Sequence, residues 1–329
     1  MRLVSFFHSG ALRFGALAAD GETICDLGAA AEARSEPREA TFARALPFLN
    51  AGPAGVERGR ELAEWAFRER PDGVLHALGE VRLASPVPRP GSVRDSMSFE
   101  RHIIQATRRA ALGPLGRLDT LLERRVGTRR SLAGRINKAF YERPLYYKSN
   151  PRSVVGHGAD VRMPSYTERF DYELEWGIFI GTMGADITEA AAPDHMAGYT
   201  VFDDFSARDI QMAEMRGRLG PAKGKDFDTG NAIGPWLVTR DELPDPYALT
   251  MTARVNGAEW SRGSTGDMHW SFEEIVSYIS RSETLYPGDF IGSGTVGGGC
   301  GLELGAFLKR GDVVELEVER IGPLRNRVV

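Results

Sequence analysis

A β-rich α+β fold is predicted for this 329-residue chain, and three observations carry that expectation. The 38 Gly and 18 Pro fall between short apolar runs without a Gly-x-y period, which favours many short strands joined by turns. The C-terminal half holds a succession of alternating or wholly apolar segments of strand length. Helical periodicity is confined to a few short stretches. With 42% hydrophobic and 26% charged residues the composition is globular, and the length suggests two domains or one large one with a sizeable core.

The formal charge of −4 gives no global argument for nucleic acid or an anionic membrane as partner. Cys25 and Cys300 cannot form a disulfide scaffold and match no zinc spacing, so a reducing, cytoplasmic home is expected. The start MRLVSFFHSGALRFG lacks a signal-peptide apolar region, and no window approaches 18 consecutive apolar residues.

Taken in order, LVSFF, ALRFGALAA and TICDLGAA read as short strands within residues 1–33, separated by Ser9-Gly10 and by the hairpin pair Asp20-Gly21. Residues 40–80 look helical, with Leu62, Trp65 and Ala66 repeating at i, i+3 and i+4. VRLASPVPRPGSV, 81–93, carries three prolines and reads as an extended connector. A boundary near residue 85 divides a small N-terminal unit, 1–85, from a large one, 86–329.

Between 101 and 148 twelve Lys/Arg face three Asp/Glu, a local excess of nine positive charges. ERHIIQATRRAALG and DTLLERRVG read as short helices of a basic insertion spanning 103–143. Such a run is either a solvated arginine-rich face or a rim that attracts an anionic substrate. It lacks the interleaved aromatics of an RNA-binding arm.

Beyond 150, SVVGHGADVRMP, DYELEWGIFIG, WLVTR, LTMTARVNG and DVVELEVERI read as strands, with helices expected around ITEAAAPDHMAGY and over SFEEIVSYISRS. In DYELEWGIFIG, Glu173 and Glu175 stand at i and i+2, so both carboxylates point to one face while Leu174, Trp176, Ile178 and Ile180 point to the other. Either this is a solvent-facing edge, or a divalent cation neutralises the pair; oxygen donors suit Mg²⁺, Ca²⁺ or Mn²⁺ over zinc. GYTVFDDFSARDIQ then places Asp203-Asp204 after an apolar strand. A helix starting there would set Arg208 and Gln211 in one stripe with Asp204. The Gly-rich stretch around Lys225 lacks the spacing of a phosphate-binding Walker loop.

FDYELEWGIFIG, DDFSARDIQ, KGKDFDTG followed by GP, the late SGTVGGG, and PLYYKSNPRSVVGHG together resemble the fumarylacetoacetate hydrolase family, over roughly 85–325. The resemblance implies a C-terminal mixed β-sheet and roll domain of the fumarylacetoacetase type, a homodimer, and a bound divalent metal, with Mg²⁺ foremost. By position it implies metal ligands at Asp95, Glu173, Glu175 and Asp204. It also implies a water-activating His102 oriented by Glu303, a catalytic Lys225, and substrate contacts at Arg208, Gln211, Tyr147 and Thr295, with Gly294 in the same loop. Met97 stands where the family has a Tyr, and the arginine that grips the distal carboxylate of fumarylacetoacetate has no clear counterpart, so the substrate's far group is left open.

These residues suit one chemistry. A β-diketo acid offers two oxygens to a hard cation, His102 can act as a base at neutral pH, and Lys225 or Gln211 could donate to a developing oxyanion. The expected activity is metal-dependent hydrolysis of a carbon–carbon bond in an acylpyruvate- or fumarylacetoacetate-like acid in small-molecule catabolism. A decarboxylase, hydratase or isomerase acting on a 2-oxo acid is the alternative, and a non-catalytic metal-stabilised binding protein is a third reading. The remaining histidines read as structural or surface groups, and Cys300 as a small buried side chain.

Overall fold

Ser9 and Gly10 both adopt positive φ, +49° and +78°, as a two-residue hairpin turn requires, and they join the strands Arg2–His8 and Ala11–Leu17. The computed structural model containing this hairpin describes residues 1–36 and 39–329. The strand read in TICDLGAA stops at Asp26. There the carboxylate accepts a hydrogen bond from Ala29 N at 3.0 Å and caps the helix Leu27–Ala33, so the apolar LGAA run is helical. The helices Ala45–Asn50 and Gly52–Glu69 follow, and Leu62 and Ala66 bury the stripe expected of them.

The fold is α+β around a 12-stranded sheet. Its main path runs Leu75–Ala77, Thr23–Asp26, Ala11–Leu17, Arg2–His8, Asn231–Thr239, Met196–Asp204, Leu174–Ile180, Phe290–Gly292, Val93–Met97, Leu145–Ser149. Arg2 and Leu3 pair with Val238 and Leu237, so backbone hydrogen bonding continues across the boundary placed near residue 85. A five-stranded sheet formed mainly from residues 250–328 packs on one face, and the N-terminal helices pack on the other.

Every residue of Leu174–Ile180 is buried because the strand is covered on both faces. Trp176 lies 4.8 Å from Phe272 and 5.4 Å from Tyr199, centroid to centroid, in one core, while Phe179 meets Phe290 in the other. Large apolar side chains buried in this way contribute roughly 1.5–3 kcal/mol each. The helix Phe272–Ile279 is closed by a complete capping box, Ser271 with Glu274.

Two further expectations are corrected. Only Ala192–His195 is helical in ITEAAAPDHMAGY, because Met196 begins a strand paired on both sides. Likewise no helix starts at Asp204. Ser206–Ala207 pairs with Phe170–Asp171, which holds the backbone extended until the helix Arg208–Arg216.

The basic stretch carries the helices Glu100–Thr107, Leu115–Val126 and Leu132–Ile136. Leu115–Val126 is turned inside out. Its Asp119 is buried, paired with Arg108 Nε at 2.8 Å, while Leu115, Leu118 and Leu121 are each more than half exposed.

Candidate active site

Three strands of the large sheet converge their carboxylates at one end; Met196–Asp204 and Leu174–Ile180 are adjacent, and Val93–Met97 follows beyond Phe290–Gly292. Asp95 comes from Val93–Met97, Glu175 from Leu174–Ile180 and Asp204 from the last position of Met196–Asp204. All three are buried, and one oxygen from each lies within 4.8 Å of the others. The solvent-facing reading of the Glu173–Glu175 face is thereby excluded, since the two residues are 4% and 0% exposed.

Electrostatics set the state of this cluster. Burial, and then the neighbouring carboxylates, push the Glu175 carboxyl well up. Burial likewise raises Asp95 to about 6 and Asp204 to about 8, in each case against the pull of Lys225. Three acids that resist ionising together form a site short of positive charge. Thr295 Oγ1 donates to Glu175 Oε1 at 3.1 Å and Gly294 N to Asp95 Oδ1 at 3.1 Å. Glu175 Oε2 and Asp204 Oδ1 are buried with no hydrogen-bond partner among the described residues. Orphaned, oxygen-only donors at this spacing fit a hard divalent cation such as Mg²⁺, Ca²⁺ or Mn²⁺.

Glu173 lies beside this cluster and makes different contacts. Arg208 Nη2 donates to its Oε1 at 2.8 Å and Lys225 Nζ donates to its Oε2. Burial opposes ionisation of Glu173, but Arg208, Lys225 and His102 overcome it and hold the carboxyl well below its usual range.

Several side chains expected at the substrate or the developing oxyanion hydrogen-bond to buried protein groups. Lys225 is 1% exposed, and its ammonium donates to Glu173, to the Asp204 carboxylate and to the Asp204 carbonyl at 3.3 Å, which uses all three hydrogens. Arg208, 2% exposed, donates to Asp171 Oδ2 at 2.7 Å, to Glu173 and to Gln211 Oε1 at 2.9 Å. Tyr147 donates its hydroxyl to Asp204 Oδ2, and Thr295 serves Glu175. The physical reason is common to all four: a buried carboxylate cluster draws every nearby donor.

His102 lies on the helix Glu100–Thr107, separated from the Asp95 strand by two residues and fixed by buried Ile103 and Ile104. Its Nδ1 is 2.7 Å from Glu303 Oε1, across 201 positions of sequence. Glu303 is on the short helix Gly301–Leu304, and its Oε2 accepts from Gly298 N at 2.9 Å.

Two residues that the sequence reading passed over complete this arrangement. Asp171 accepts from Gly301 N at 2.6 Å and Leu302 N at 2.9 Å, so it caps the Glu303 helix from a distant strand while gripping Arg208. Gln105, turned to satisfy its neighbours, donates to Glu303 Oε2 and accepts from Arg101 Nε at 3.1 Å. Both had a signal. Asp171 extends the Glu173–Glu175 alternation by one step, and Gln105 is at i+3 from His102.

Fold and site together define an enzyme built on a buried carboxylate cluster of the kind that holds a divalent cation, beside a histidine–glutamate pair. The chain belongs to the fumarylacetoacetate hydrolase family: the signature described as Fumarylacetoacetate (FAA) hydrolase C-terminal matches residues 125–329. Among its relatives, oxaloacetate tautomerase YisK of Bacillus subtilis (strain 168) is 30% identical over 321 residues, 96% of each chain. The mitochondrial oxaloacetate tautomerase FAHD2A of Homo sapiens is 38% identical over 187 residues, 56% of this chain and 59% of that protein. The solved fumarylacetoacetate hydrolase (EaFAH) of Exiguobacterium antarcticum superimposes with a TM-score of 0.70 at 25% identity, over 100% of this chain and 99% of that one. No helix among the described residues is long and apolar enough to cross a membrane.

Proposed function

We propose that this chain hydrolyses a carbon–carbon bond in a small anionic β-diketo acid of the acylpyruvate type, with His102 as the general base. The observation that carries this reading is the 2.7 Å contact between His102 Nδ1 and Glu303 Oε1, beside a carboxylate cluster with two orphaned oxygens. Asp95, Glu175 and Asp204 would hold the divalent cation, with Glu173 behind them, neutralised by Lys225 and Arg208. When bound, the cation supplies Lewis-acid polarisation and a template for the substrate's two oxygens.

The residues then have defined tasks. Gly298 N fixes Glu303, Glu303 fixes the ring of His102, and the bond at Nδ1 leaves Nε2 to accept a proton. His102 takes that proton from water, and the resulting hydroxide adds to the acyl carbonyl carbon. Collapse of the tetrahedral adduct breaks the carbon–carbon bond, its electron pair passes to the pyruvate methylene carbon, and the proton on His102 returns to it. The products are a carboxylic acid and pyruvate. Low exposure of the cluster excludes bulk water, and Lys225 balances its charge without touching the reacting atoms.

A second reading, keto–enol tautomerisation of oxaloacetate, is favoured by the relative that matches over 96% of both chains and is named for that reaction. It needs the same base and no attacking water. Acylpyruvates, fumarylpyruvate, fumarylacetoacetate and oxaloacetate assayed with Mg²⁺ separate the two. Pyruvate release from an acylpyruvate is the expected result, falling by roughly 10²–10⁴-fold in His102→Ala while cation binding survives. Interconversion of oxaloacetate without cleavage would select the second reading, and no turnover of any of them would remove both.

A further inference from the structure

Cys300 takes no part in the reaction just described, yet it is 0% exposed and lies against the carboxylate that holds the proposed base. Its Sγ is 3.5 Å from Glu303 Oε1, which is itself 2.7 Å from His102 Nδ1. One donor atom from each of the three residues lies within 4.8 Å of the others. This cluster is chemically unlike Asp95, Glu175 and Asp204, because it offers sulfur, imidazole nitrogen and one carboxylate oxygen.

We propose that His102, Cys300 and Glu303 form a second divalent-cation site, selective for a soft ion of the Zn²⁺ type, whose occupation switches the enzyme off. Tetrahedral zinc with ordinary bond lengths separates neighbouring ligand atoms by roughly 3.3–3.6 Å. The sulfur–oxygen pair already has that spacing, and the nitrogen–oxygen pair needs to open by less than about 1 Å from its hydrogen-bonded distance. Gly298 N and Gln105 hold the other oxygen of Glu303, so Oε1 is presented without rearrangement of the carboxylate. Charge favours the same outcome: thiolate and carboxylate against a doubly charged ion sum to zero, a tolerable state in a buried wall. On binding, the thiol proton leaves to solvent and the single proton of the neutral ring shifts from Nδ1 to Nε2 by exchange with solvent, which frees the Nδ1 lone pair for the ion. Hard and soft cations are thus sorted by donor type between two adjacent sites.

Zinc there would consume the Nδ1 lone pair and the Glu303 oxygen and leave Nε2 protonated, so no base remains. This consequence, but not the binding, rests on the proposed role of His102. The test uses the whole protein saturated with Mg²⁺ and titrated with Co²⁺ as a spectroscopic stand-in, then with Zn²⁺. A near-ultraviolet thiolate-to-cobalt charge-transfer band is expected in the parent protein. It should vanish in Cys300→Ser, persist in Asp204→Asn, and weaken in Glu303→Gln, with Zn²⁺ affinity at this site falling at least about tenfold in Cys300→Ser. Each variant's circular dichroism spectrum confirms folding. Absence of the band at full cobalt loading overturns the proposal, as does a band that survives in Cys300→Ser, since Cys25 is the only other thiol. Turnover, each protein measured against its own zinc-free rate, should be blocked by Zn²⁺ in the parent and spared in Cys300→Ser. If the band forms but turnover continues, the site stands and His102 is not the base.

Discussion

Replacing Lys225 by methionine tests the electrostatic account of the site most directly. The ammonium is 1% exposed and stands between Glu173 and Asp204, both of which it binds. Methionine keeps most of the volume and removes the charge. Breaking a buried ion pair by deleting one partner costs about 3–5 kcal/mol, because the other charge is left without compensation. Against a total stability of roughly 5–15 kcal/mol this is a large fraction, a loss of about a hundredfold to several thousandfold in the folding equilibrium.

Two further consequences sharpen the test. Glu173→Gln removes one of the stranded charges, so Lys225→Met with Glu173→Gln should be less damaging than the sum of the two alone, by roughly 0.5–3 kcal/mol. Removing a positive charge beside the carboxylates should also strengthen cation binding. A given Mg²⁺ concentration then raises stability more in Lys225→Met than in the parent, the gain reaching about 2.7 kcal/mol at a hundred times the dissociation constant. Urea unfolding followed by tryptophan fluorescence, with and without Mg²⁺, measures all of these. A loss below about 1 kcal/mol, an additive double variant, or an Mg²⁺ gain no larger than the parent's would refute the reasoning.

Gly294 adopts φ +79°, and a Cβ there would lie 2.3 Å from the Ser96 carbonyl oxygen, while its N–H holds Asp95. Gly294→Ala should therefore cost roughly 1–3 kcal/mol and weaken Mg²⁺ binding measured by calorimetry, and unchanged affinity would contradict the placement of Asp95. Burial lowers the pKa of His157 below 6.5, and burial with the neighbouring His8 lowers that of His76. Below pH 6.5 the unfolded chain then binds more protons than the folded one, so their stabilising contribution is full above that value and is lost as pH falls through the folded-state values. Denaturation midpoints compared between the parent and His157→Gln with His76→Gln should converge as the pH is taken from 7 to 5, and a pH-independent difference would oppose this.

Much of the fold is legible locally. The Ser9-Gly10 turn, the Leu62 and Ala66 stripe and the helix within SFEEIVSYISRS depend on neighbours within a few residues, and the structure places them as read. Errors fall where one local pattern admits two outcomes. LGAA and MAGY are apolar enough for helix or strand, and Asp26 capping in one case and strand pairing in the other decide between them.

Chemistry divides along the same line. Alternation alone puts Glu173 and Glu175 on one face, and oxygen donors alone point to a hard cation. Alternation cannot say that Glu175 faces Asp95 and Asp204 while Glu173 is taken by Lys225 and Arg208. The partner of His102 is 201 positions away and came into view in the sequence only through a family resemblance.

Side-chain periodicity and donor type are properties of a short segment, so the sequence by itself determined the α+β class, the acidic strand face and the kind of ion it suits. Which strands become neighbours is settled by how the chain buries its apolar faces. The tertiary structure therefore decided that Lys225, Arg208, Tyr147 and Thr295 serve the carboxylates, and that Cys300 lies against the proposed base. A buried charge must find its compensation among whatever groups the packing brings within reach.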